Sequence, residues 1–225
     1  MRYLLILLFL SSTLYSQEIL SPLYSNPNSL DFSSTKNTNA LMIPFFDDFS
    51  YSSNILNSNL WIGNSALVNR NYPLNPPTVG VVTLDGLDSS GYAYDISMVN
   101  NNGYADILLS QSIDLNNLDS VFLMFYYQPQ GYGDNPQLED SLFLECLALD
   151  STGLKVWNRV WGVPGTTVQE FKRMVVMITD TRYLHDSFQF RFRNYATLSG
   201  NFDHWHLDYI ILDEYLSSID TSGLN

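Results

Sequence analysis

The stretch DSFQFRFRN, residues 186–194, decides the fold. Phe188, Phe190 and Phe192 alternate with Gln189, Arg191 and Arg193. A period of two belongs to a strand with one face in a core and the other turned to solvent or a partner. No segment competes with it by carrying a long apolar stripe at helical spacing.

The same reading extends along the chain. LMIPFFDDFS, LWIGNSALVNR, VGVVTLDG, ADILLSQSIDL, SVFLMFYYQPQ, EDSLFLECLALD, LKVWNRVWG, FKRMVVMITD and WHLDYIILDEYL all read as strands. In LWIGNSALVNR, Trp61, Gly63 and Ser65 alternate with Ile62, Asn64 and Ala66. SVFLMFYYQ is apolar on both faces, which predicts a central strand. Turn residues part the strands, among them Asn102-Gly103, Thr152-Gly153 and Pro164-Gly165. About ten strands without helices predict an all-β, two-sheet antiparallel β-sandwich, a jelly roll.

The N-terminus reads MRYLLILLFLSSTLYSQ. Arg2 supplies a positive start, residues 3–10 an apolar run, and residues 11–16 a small polar region before a cut ahead of Gln17. That run is too short to span a bilayer, so a Sec signal peptide over residues 1–16 is expected, with no transmembrane segment in the mature chain. Residues 17–40, rich in Ser, Asn and Pro, read as a linker. The sandwich then occupies 41–216, and 217–225 reads as a flexible tail. The expected address is the periplasm, cell surface or exterior.

The formal net charge is −13 over 225 residues, with only ten Lys and Arg. That balance argues against nucleic acid, whose phosphates need clustered cations. It suits a cation such as calcium, bound by carboxylates and carbonyls. The single cysteine, Cys146, cannot form an intramolecular disulfide and lies in an apolar run, so it reads as core.

The order of landmarks resembles the MAM-type and cleaved-adhesin-type jelly rolls of exported Bacteroidota-type proteins, many of them cargo of the type nine secretion system. PFFDDFS, with Phe46 and Phe49, resembles their first strand. WHLDYIIL, with Trp205, Leu207, Asp208, Ile210 and Leu212, resembles their last. The resemblance covers residues 41–216. It implies that these strands are neighbours and that Asp47, Asp48 and Asp208 hold a structural calcium between them.

His204 and His206, at i and i+2, share a strand face and could ligate zinc with Asp208. The better reading places them at the rim of the sandwich, with Trp205 packed. A hydrolase-like E-x-D-x-x-E row fails in QLEDSLFLE, where Asp140 falls opposite Glu139 and Glu145. GYGDNP has glycine spacing, but no helix follows it to cradle phosphate. Tyr132, Trp157 and Trp161 are candidates for stacking a sugar, the two tryptophans sharing a strand face by spacing.

No catalytic residue is assigned, and the chain is not expected to be an enzyme. The expected function is a non-catalytic recognition or adhesion module of the bacterial envelope, with a surface protein or glycan as partner. The alternatives are a carbohydrate-binding module or the structural N-terminal part of a longer secreted protein.

Overall fold

A computed structural model describes residues 40–215. The expected signal peptide, the linker up to residue 39 and the tail lie outside the described residues. Eleven strands are present among those described: β1 (Phe45–Asp47), β2 (Trp61–Ile62), β3 (Leu67–Asn69), β4 (Val81–Leu84), β5 (Asn102–Ser110), β6 (Val121–Pro129), β7 (Ser141–Leu149), β8 (Lys155–Pro164), β9 (Lys172–Ile178), β10 (Phe190–Thr197) and β11 (Trp205–Asp213). None of the described residues is helical.

The strands form two sheets. The first runs β3-β4-β11-β6-β9, with β1 also on β11, and the second runs β2-β5-β10-β7-β8. Every strand pair is antiparallel. The chain is therefore an all-β two-sheet sandwich. LWIGNSALVNR is not one strand. It splits into β2 in the second sheet and β3 in the first, and between them Gly63 takes a φ of 83° that ends the extended run.

Alternation explains the core. On β10, Phe190 and Phe192 are fully buried, while Arg191 and Arg193 point outward. From the first sheet, β6 sends in Val121, Leu123, Phe125 and Tyr127. Phe125 meets Phe192 edge-on at 4.7 Å. Phe45, Trp61 and Phe190 form a second aromatic cluster, with centroids 5.1–5.7 Å apart. Truncating one such buried ring costs about 3–5 kcal/mol. Cys146 lies in this core, and its buried thiol is pushed well above the usual range.

The first and last strands are neighbours, with Phe45 opposite Leu212 and Asp47 opposite Ile210. On the same edge of β11, β4 pairs with Trp205, His206 and Leu207. Between these partners β11 bulges, and Tyr209 adopts a left-handed φ of 48°. For a tyrosine that costs about 1–2 kcal/mol. The ring packs edge-on against Phe46, 5.1 Å between centroids.

Candidate functional site

The outer face of the second sheet carries the densest arrangement of charge. Cross-strand register puts Arg191 of β10, Glu145 of β7 and Arg159 of β8 in one row. The next row holds Arg193 beside Phe143. The one after holds Tyr195, with Tyr104 of β5 opposite. Glu145 Oε2 accepts from Arg191 Nε at 2.6 Å and from Arg193 Nη1 at 3.5 Å. Arg159 makes no ion pair among the described residues.

Each of the three guanidiniums lies over a ring. Arg159 stands 3.4 Å from the centroid of Phe143, Arg193 3.7 Å from that of Tyr104, and Arg191 4.2 Å from that of Trp157. Such stacking is attractive and holds a long side chain in one pose. Gly162 makes room for it, since a Cβ there would come within 2.9 Å of the Phe143 ring. Three arginines and one glutamate leave this face with a net positive charge in a chain that is strongly negative as a whole.

The three aromatic candidates do not come together. Trp157 lies on this face under Arg191. Trp161 packs on the core against Phe125 and Tyr127, at 5.1 and 5.0 Å. The expectation of a shared face is corrected by a bulge: the register shifts between Leu144 and Glu145, so Trp161 sits opposite Leu144 and Trp157 opposite Leu147. Tyr132 is 73% exposed in the loop between β6 and β7.

The carboxylates proposed for calcium divide between the two faces of the first sheet. Asp47, opposite the core residue Ile210, points inward. Its Oδ1 accepts from the Phe49 amide at 2.9 Å and its Oδ2 from Trp61 Nε1 at 2.7 Å. Burial raises its pKa. Asp208 lies on the other face, where Oδ2 accepts from the Thr78 amide at 2.9 Å. The Thr78 hydroxyl has one proton and stands 2.8 Å from Asp208 Oδ1, 2.7 Å from the Asp48 carbonyl and 3.1 Å from the Gly80 carbonyl. Burial pushes Asp208 up to about 6, and the nearby Asp48 adds to the rise. This all-oxygen set suits a hard cation in kind. Among the described residues no group of three or more His, Cys, Asp or Glu is placed to hold a metal.

The histidines are not at the rim. His204 and His206 are buried, because loops cross the outer face of the first sheet above them. His206 Nε2 lies 3.1 Å from the Gln130 carbonyl, which can only accept, so that nitrogen carries the proton. Nδ1 then accepts from the Thr83 hydroxyl at 2.8 Å, and Thr83 in turn accepts from Asn69. Burial lowers the His206 pKa to about 3. His204 Nδ1 accepts from the Asp134 amide at 2.7 Å. The glycines of GYGDNP belong here: a Cβ on Gly131 would strike His206, and one on Gly133 would strike the His204 ring.

Asp140 and Asp203 are both fully buried and near enough for each to act on the other's pKa. Asp140 accepts from the Gln137 amide at 2.8 Å, and Asp203 from the Thr197 amide at 2.7 Å. Burial first, and then Asp203, raise the pKa of Asp140.

Sequence reasoning turned Arg191 and Arg193 outward but did not find their row. One signal was legible: Glu145 is the lone charge in the apolar run SLFLECLAL.

No family model and no curated protein matches this chain. Several solved structures are similar to it. A cleaved adhesin domain of Lys-gingipain from Porphyromonas gingivalis is 12% identical, with 76% of this chain and 97% of that one covered and a TM-score of 0.45. The xylan-binding CBM22-1 domain from Paenibacillus barcinonensis is 10% identical, with 77% and 96% covered and a TM-score of 0.45. A CBM27-1 domain from Caldicellulosiruptor saccharolyticus, solved with mannohexaose, is 11% identical, with 76% and 91% covered and a TM-score of 0.40.

Proposed function

We propose that this chain is a non-catalytic recognition module, exported to the envelope or cell surface, whose contact surface is the outer face of the second sheet. One observation carries the reading: three guanidiniums stacked on rings and arrayed on one sheet face, two of them sharing a single carboxylate. Side chains held this rigidly lose little entropy when a partner binds. The residues that a hydrolase would need together are apart. Glu145 is engaged by two arginines, and Asp140 is buried against Asp203.

The fold likeness to adhesin and sugar-binding sandwiches lends none of their ligands to this chain. Kinship with MAM domains and export by the type nine route are finer parts of the same proposal. So is a structural calcium on Asp208, the Asp48 and Gly80 carbonyls and Thr78. When bound it would neutralise Asp208 and tie β11 to the segment before β4.

The test is a glycan array and a panel of envelope proteins probed with the mature chain. Saturable binding that weakens on Trp157→Ala, with the melting temperature kept, supports the face as the contact surface. Binding untouched by Trp157→Ala and by Arg159→Gln removes it.

A further inference from the structure

We propose that the outer face of the second sheet takes an anionic polysaccharide, whose carboxylate or sulfate groups dock on Arg159 and Arg191. The inference rests on the reading that this face is the contact surface, and it adds the class of ligand.

The first argument is charge. The chain carries −13 overall, so a polyanion is repelled by the molecule as a whole. Arg159, Arg191 and Arg193 face one carboxylate, Glu145, and Lys155 extends the same edge strand β8. Arg159 is exposed and has no ion pair among the described residues. Its guanidinium plane is spent on Phe143, but its N–H edge is free to bind an anion bidentately.

The second argument is spacing. Arg191 and Arg159 lie in one row on either side of Glu145. Their backbone positions are therefore two strand spacings apart, about 9.5 Å, with the Arg191 guanidinium over Trp157 and the Arg159 guanidinium over Phe143. A ligand that runs across the strands and carries repeated anionic groups meets both, while a single small anion meets one.

The third argument is the company of the cations. The row is flanked by half-buried Trp157 on one side and by Tyr104 on the other, with Tyr195 beside it. Tyr104 is 47% exposed, with Arg193 on one ring face and the edge of Tyr195 5.6 Å away. Rings set among cations suit the C–H faces and acidic substituents of a uronate or sulfated sugar.

The experiment is titration of the mature protein with polygalacturonate, its fully methyl-esterified form, dextran sulfate, dextran and poly-glutamate. Binding to polygalacturonate or dextran sulfate but not to the uncharged forms is expected, and which of the two binds separates carboxylate from sulfate. Arg159→Gln should weaken that binding about tenfold, the loss of one charge-assisted contact, at an unchanged melting temperature. Arg159→Lys should recover part of it. Equal binding of the charged and esterified polymers overturns the inference, as does an Arg159→Gln variant that binds normally. Equal binding of poly-glutamate overturns the sugar and leaves an acidic protein as the partner. Binding only to neutral glycans overturns the anionic class but leaves the recognition face standing. Loss of all binding, on the array as well, sinks both.

Discussion

Replacing Glu145 by Gln should move stability and ligand affinity in opposite directions. Among the described residues Glu145 is the only carboxylate serving Arg191 and Arg193, and the side chains are 11%, 17% and 16% exposed. At that burial, screening by solvent is limited. Gln keeps one oxygen that can accept from Arg191 Nε but removes the charge that makes the 2.6 Å contact strong. The loss expected for a charge-assisted hydrogen bond is about 2 kcal/mol. For a sandwich of this size that lowers the melting temperature by about 6 °C. Urea unfolding followed by tryptophan fluorescence should show a lower midpoint at an unchanged slope.

Affinity should rise instead. A ligand anion docked on Arg159, one strand spacing from Glu145, lies on the order of 5 Å from that carboxylate, a repulsion of at least about 1 kcal/mol near a solvated surface. Removing it should tighten polygalacturonate binding about fivefold. A variant that melts with the wild type would refute the ion-pair row as a stabilising feature. A variant that is destabilised and also binds more weakly would show that Glu145 accepts from the ligand rather than opposing it.

Other outcomes follow from the buried groups. If calcium binds at Asp208, its excess over EDTA should raise the stability of the wild type, by about 2.7 kcal/mol at a hundredfold excess over the dissociation constant, and leave Asp208→Asn unmoved; equal melts for the wild type with and without calcium would remove the ion. Asp140 has its folded pKa raised by burial, so its contribution is complete below the unfolded value of 3.8 and is lost as pH rises through neutrality. Asp140→Asn should therefore flatten the fall in stability toward neutrality, seen as urea midpoints at about pH 6 and pH 8 that differ less than in the wild type. His206 has the opposite sign: with its folded pKa lowered from 6.5 to about 3, its contribution is present above 6.5 and drains away as pH falls. His206→Gln should lose that acid-limb slope in the same titration. Gly133→Ala should cost about 1–3 kcal/mol by overpacking the His204 ring, read as a lower urea midpoint.

Periodicity made the layers legible, but it could not make the register legible. FQFRFRN told which side chains of β10 enter the core, and the structure keeps that division. SVFLMFYYQ read as central, and β6 does run between β11 and β9. What failed were inferences that crossed a bulge. Counting by two from Trp157 to Trp161 assumes an unbroken pleat, and the shift opposite Leu144 and Glu145 breaks it. Asp47 and Asp48 cannot be told apart by composition. Only the pairing of Asp47 with Ile210 turns one inward and leaves the other beside Thr78. The histidines failed for another reason. Their shared face was legible, but their burial depends on Tyr72 and the segment around Gln130, which are distant in sequence.

The two outer faces divide the work of the sandwich. On the first sheet, Gln128 is fully buried because it exchanges hydrogen bonds with the backbone of Leu74 and donates to the Gln169 carbonyl. Asp208 is likewise closed over by Thr78. Polar side chains there serve as anchors for loops, and a side chain consumed by its own chain is not offered to a ligand. On the second sheet the polar side chains bond to one another across strands, through Glu145, and the surplus falls on Arg159 at the edge strand β8. Three guanidiniums this close would repel without Glu145, so the carboxylate that opposes an anionic ligand also lets the cations pack. Affinity on this face is then limited by the requirement to fold, and that conflict gives the Glu145→Gln experiment its two signs.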